Sequence, residues 1–128
     1  MHTKLKSLEF LYTRYSKNHK SQESSFEVLE NLKILRLWHT KNEENCTFLG
    51  NLQKIESLEF TWSRSIKTLK GVEQFKLLKH ISLRNLSQLE DVSALSELKQ
   101  LRGIWVESCK KINEEGRKII EKINNENK

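Results

Sequence analysis

The sequence is poor in the residues that most often announce a chemistry. Its 128 residues include two cysteines, four glycines, four histidines and no proline. Two cysteines, with no apolar leader in Met1 to Phe10, point to a reducing, cytoplasmic setting. The glycines (Gly50, Gly71, Gly103, Gly116) are isolated, so no phosphate-cradling loop or dinucleotide fingerprint is present, and no nucleophile elbow either. No stretch approaches the roughly 18 apolar residues of a membrane span. Apolar residues make up 36% and charged residues 31%, a ratio that would leave a compact globule short of core. A stack of repeats, which buries one thin seam, tolerates it. The net charge of +6 comes from basic residues spread along the chain, without the block of Lys or Arg that marks a nucleic-acid tail.

What is present is a repeat. An apolar-x-apolar unit recurs as Leu8/Phe10, Leu35/Leu37, Leu58/Phe60, Ile81/Leu83 and Ile104/Val106, spaced by 27 residues once and by 23 three times. Upstream of the last three units apolar residues fall at every third position. They are Cys46, Leu49, Leu52 and Ile55; Leu69, Val72, Phe75 and Leu78; and Val92, Leu95, Leu98 and Leu101. Steps of three drift off one face of an amphipathic helix, whereas a step of two is the signature of a strand. Each repeat therefore reads as one short strand and an irregular or single-turn return segment. Such a unit cannot bury its apolar edge alone and must stack on its neighbours.

The pattern in LLKHISLRNLSQLEDVSALSELKQLRGIWVESC resembles the leucine-rich repeat family, in its short bacterial form of 22 or 23 residues. The resemblance covers about residues 5 to 112. It implies an α/β solenoid over residues 1–112: about five parallel strands on a concave face, with irregular or helical turns on the convex face. The sequence departs from the family in the first return segment (Thr13 to Ser25), which is polar and carries an apparent four-residue insertion. It departs again at Lys41 to Asn45, which lacks the apolar residue supplied later by Ile66, Leu89 and Ile112. The turn column, usually Asn or Cys in the family, reads Thr13, Thr40, Ser63, Leu86 and Cys109. Leu86 has no polar atom, so the fourth turn is expected to be arranged differently. Cys46 and Cys109 lie too many strands apart for a disulfide and are expected to be buried free thiols.

Residues 113–128 read as a capping helix and tail. Asn113 is the N-cap, Glu114 and Glu115 sit in the first turn, and Ile112, Ile119, Ile120 and Ile123 form an apolar stripe. Residues from Asn124 onward are expected to fray. No equivalent cap is visible before Leu5. The first strand is thus expected to be an edge open to strand pairing, unless residues 1–6 fold over it, another chain covers it, or the chain is part of a longer one.

The resemblance places the residues flanking the buried strand pair on the solvent side of the sheet. From it we expect a partner-binding set of Tyr12, Arg36, Trp38, His39, Glu59, Trp62, Arg84, Trp105 and Glu107, and Trp, Tyr and Arg are the types most enriched at binding hot spots. The same aromatics are also able to serve the sheet alone, by stacking across strands. Glu9, Arg36 and Glu59 fall in one column and read as a structural charge ladder, worth little on an open surface. His39 and His80 stand on different repeats, so no metal site is expected, and no cofactor. Three functions follow as expectations: a non-enzymatic protein-binding module, a dedicated inhibitor or immunity protein that occludes a bacterial toxin, and a basic nucleic-acid binder. The last is disfavoured because the expected face holds three Glu against two Arg and no Lys.

Overall fold

The computed structural model describes residues 8–16, 29–50 and 52–127. Among the described residues the chain is α/β, with a single parallel sheet of five strands in sequential order and one helix at the C-terminal end. The strands are β1 (Phe10–Ser16), β2 (Ile34–Lys41), β3 (Ser57–Thr61), β4 (His80–Arg84) and β5 (Gly103–Glu107). The helix, α1, spans Glu114–Glu126. Three short 3-10 turns, Thr47–Leu49, Val72–Gln74 and Ser93–Glu97, lie in the return segments between β2 and β5.

From β2 onward each residue pairs with the one 23 positions later: Leu35 with Leu58, Leu58 with Ile81, Ile81 with Ile104. Because the register repeats, each apolar column becomes a row of side chains stacked along the sheet. Leu35, Leu37, Leu58, Phe60, Ile81 and Leu83 are at most 2% exposed, and the return residues Leu32, Leu52, Ile55, Phe75 and Leu78 pack beneath them. Backbone groups are matched in the same rhythm. Lys33 carbonyl accepts from the Glu56 and Ser57 amides, Glu56 carbonyl from Lys79 and His80, and Lys79 carbonyl from Arg102 and Gly103.

The first strand corrects the sequence reading. Leu11, not Leu8, pairs with Leu35, and Thr13, not Phe10, faces Leu37. The offset is thus 24 residues, so relative to β2 the expected insertion of four shrinks to one. An odd shift in register moves every side chain to the other face of a strand. Phe10 and Tyr12 are turned outward, and Leu11 packs against the core. The deciding feature is the Leu8-x-x-Leu11 spacing, which matches Leu32-x-x-Leu35 and lets both leucines reach the core. The expectations for the edge beyond β1 fall on residues 1–7, and much of the first return segment on 17–28; both lie outside the described residues.

The fourth turn also differs from expectation. Asn85 takes the left-handed backbone with φ 57°, like His39 (54°), Trp62 (57°) and Ser108 (55°), so the turn is of the common type. Its backbone is held from the neighbouring strand, with the Asn85 amide donating to the Glu107 carbonyl as the Trp62 amide does to Arg84. No side-chain hydrogen bond is required at that position, and Leu86 is simply buried.

The helix begins as its sequence indicates: Asn113 Oδ1 accepts from the Gly116 amide at 2.8 Å. It continues through Asn124 to Glu126. The Asn124 amide faces the outer edge of β5, its Oδ1 accepting from the Ile104 N–H at 2.8 Å and its Nδ2 donating to the Ile104 carbonyl at 2.9 Å. One side chain thus supplies the donor and acceptor that a sixth strand would offer. Ile119, Ile120 and Ile123 cover the apolar end of the stack. No helix among the described residues is long and apolar enough to cross a membrane.

Gly71, at φ 115°, lies against the preceding repeat so closely that a Cβ would meet the Cys46 carbonyl carbon at 2.6 Å and the Thr47 nitrogen at 2.7 Å. Gly71→Ala is expected to lower stability by about 2–4 kcal/mol in urea unfolding, from overpacking and from the left-handed backbone together. Asn124→Leu, which strands both Ile104 backbone groups, is expected to cost about 1–3 kcal/mol. The neighbouring Glu126→Ala should stay within about 0.5 kcal/mol.

Candidate functional site

One face of the sheet carries the core, so the alternate residues of each strand are left on the other. Along the middle of that open face Tyr12, Arg36, Glu59, Ser82 and Trp105 stand in register on successive strands. Two residues later in each strand come Arg14, Trp38, Thr61, Arg84 and Glu107. His39 and Trp62 follow at the left-handed turn. The structure brings all nine sequence-expected residues to this face or its turn border, with Tyr12 moved into the Arg36 column.

The aromatics divide into two kinds. Trp38 is half-buried. Its ring lies 6.3 Å from Tyr12 and 5.0 Å from His39, edge-on to the latter, and the Arg14 guanidinium sits 4.4 Å above it. It serves as the centre of a packed cluster, worth about 0.5–1.5 kcal/mol per aromatic pair beyond its burial. Tyr12 (59% exposed), Trp105 (58%), Phe10 (46%) and Trp62 (43%) are instead open to solvent. Among these, Phe10 lies under the Arg36 guanidinium at 5.4 Å and Trp62 under Arg64 at the same distance.

The charges change sign balance when β1 is placed in its observed register. Glu9 leaves the Arg36 column, so the expected three-residue ladder does not form. Its carboxylate pairs with Lys33 at 3.6 Å instead. Arg14 takes a place on the face that sequence reasoning gave to Leu11. The face thus holds Arg14, Arg36 and Arg84 against Glu59 and Glu107. The charge argument raised against a nucleic-acid partner is weakened to that extent. Phe10, Arg14 and His80 were missed as functional candidates; the Leu8-x-x-Leu11 spacing would have placed the first two.

Over β2 to β5 the face dips into a depression of about 440 Å³, lined by Arg36, Glu59, His80, Ser82, Arg84 and Trp105 among others. The Arg84 Nε donates to Ser82 Oγ at 3.3 Å across its floor. A second hollow, of about 500 Å³, lies between α1 and the last return segment, with Leu98, Leu101, Ile119 and Ile123 beside Lys99 and Lys122.

Neither thiol belongs to the face. Cys46 and Cys109 are free and buried, and burial raises both thiols from the ordinary cysteine value, strongly for Cys46. The Cys109 thiol donates to the Leu83 carbonyl at 3.3 Å, tying the last turn to β4. Among the described residues no group of three or more His, Cys, Asp or Glu is placed to hold a metal ion. No protein-family model matches the chain, and no curated protein matches it.

The division of the aromatics is measurable. Trp38→Ala is expected to lower stability by about 1–3 kcal/mol, from lost burial and ring contacts. Trp105→Thr, in an open strand position, is expected to stay within about 0.5 kcal/mol in the same urea titration.

Proposed function

We propose that this protein is a non-catalytic recognition module of the leucine-rich repeat type, a short solenoid that binds one protein partner with the concave face of its sheet. The observation that carries the reading is the outward set of Phe10, Tyr12, Trp62 and Trp105 on one face, away from a core that is complete without them. Exposed rings of this size, interspersed with arginine, are the material of interface anchors. Trp62 adds a second support. A bulky residue at φ 57° holds a backbone that glycine or asparagine adopts at less cost, so local folding does not favour an indole there. Both thiols are buried and held protonated, which leaves neither as a ready nucleophile. Two free thiols also suit a reducing, cytoplasmic compartment.

A narrower form of the same reading is a dedicated inhibitor that covers the active site of a bacterial toxin; a toxin gene beside this one would support it. The arginine excess of the face favours a nucleic acid as the second reading, since stacked aromatics beside guanidinium groups also suit single strands.

Capture from the native cell with a Trp62→Asn, Trp105→Thr variant as control tests the proposal. These two positions are preferable to Trp38, whose loss also weakens the cluster around it. The expected result is a protein retained by the wild type and lost, by at least about tenfold in affinity, from a variant of unchanged urea midpoint. A partner held equally by both forms would remove the open face from the reading. Binding of an oligonucleotide that falls steeply with salt would replace the protein partner by a nucleic acid.

A further inference from the structure

We infer that the depression over β2 to β5 receives an acidic side chain of the partner protein, held between Arg36 and Arg84 with Trp105 as its wall. This rests on the protein-recognition reading and specifies the chemistry of the partner.

The argument begins with how the chain treats its charges elsewhere. Away from the open face, six register-related pairs of side chains close on each other. Lys33 pairs with Glu9 at 3.6 Å, Lys67 with Glu44 at 3.0 Å and Lys79 with Glu56 at 3.6 Å. Neutral partners do likewise: the Lys54 ammonium reaches Asn31, the Thr68 hydroxyl Asp91, and the Lys111 ammonium Gln88, each 23 residues apart. On the open face the same geometry is offered and not used. Arg36 stands beside Glu59, and Arg84 beside Glu107, on neighbouring strands about 4.8 Å apart, yet neither forms an ion pair. Arg36 lies over Phe10 instead, and Arg84 bonds only the neutral Ser82 hydroxyl. Both guanidiniums keep donors for an incoming acceptor, and the planar fork of arginine suits a carboxylate with two parallel bonds.

The depression supplies the room. Its volume of about 440 Å³ holds a carboxylate side chain and the backbone that carries it, and Trp105 gives an apolar wall against which the methylene stem packs. His80 on the same rim adds no negative charge. A continuous phosphate chain fits less well. Glu59 lies within the depression and Glu107 beside Arg84, so a polyanion running over the face would meet a carboxylate next to each arginine. A single acidic side chain meets one carboxylate in the depression, Glu59, against the two arginines Arg36 and Arg84, and does not extend to Glu107.

The probe is a short blocked peptide with one glutamate among glycines, titrated into the whole protein and followed by the indole N–H resonance of Trp105. Two double variants remove the same amount of charge from the +6 chain: Arg36→Gln with Arg84→Gln on the face, and Lys70→Gln with Lys76→Gln on a return segment. The face variant is expected to weaken binding by about tenfold or more and abolish the Trp105 shift. The return-segment variant should change binding by less than about twofold. Arg84→Lys, which keeps the charge but loses the fork, should fall between. Unchanged urea midpoints, with either single arginine substitution as a substitute where the double variant is unstable, keep folding out of the comparison. Equal losses in the two double variants would reduce the effect to overall charge and overturn the assignment. So would an oligodeoxythymidylate that shifts the Trp105 resonance with the same arginine dependence. If the captured partner depends on Trp62 and Trp105 while the glutamate peptide ignores the arginines, protein recognition stands and the acidic subsite falls.

Discussion

From β2 onward this structure depends on the backbone pairing of each strand residue with the one 23 positions later. That single register stacks leucine on leucine inside, and it matches each carbonyl at a strand entrance with amides of the next repeat. No repeat has enough apolar surface to stand alone, so the rows hold only while consecutive strands remain aligned. The close passage of Gly71 over Cys46 shows how little slack this alignment leaves.

Most of the architecture was legible because the core columns are nearly pure. Where Ile55, Leu58 and Phe60 repeat as Leu78, Ile81 and Leu83, only one register buries them all. The first strand was not legible, because Leu8, Phe10 and Leu11 offer two apolar pairings that differ by an odd step. The apolar-x-apolar motif favoured the pair that the structure rejects. Tertiary context decided through Leu8, which fills the column occupied one repeat later by Leu32. The hydrogen bonds of Asn124 to β5 were not legible, for a different reason. The role of Asn124 depends on a backbone edge 20 residues upstream, and no local helix signal reveals that an amide is positioned to complete a sheet.

The open face was legible as a list of residues and not as an arrangement. Sequence spacing brings Arg36 next to Glu59, and simple pairing rules join them, but the guanidinium settles over Phe10. Likewise three tryptophans look equivalent in the sequence, whereas Trp38 is enclosed by Tyr12, His39 and Arg14 while Trp62 and Trp105 stand open. The difference lies in the neighbouring side chains across the strands, which a period of 23 does not specify. On the outer surface, by contrast, five lysines (Lys33, Lys54, Lys67, Lys79 and Lys111) close on nearby acceptors.

The amide stopper at Asn124 makes the length of the molecule a separate matter from the way it ends. Both of its side-chain hydrogen bonds go to one residue of the last strand, Ile104. An in-frame duplication of one interior unit would therefore leave the terminating helix seated as before, with the added unit joining the row between existing neighbours. Extension past the helix has no such freedom, because a new strand would first have to evict the side chain that already occupies its hydrogen-bonding seat.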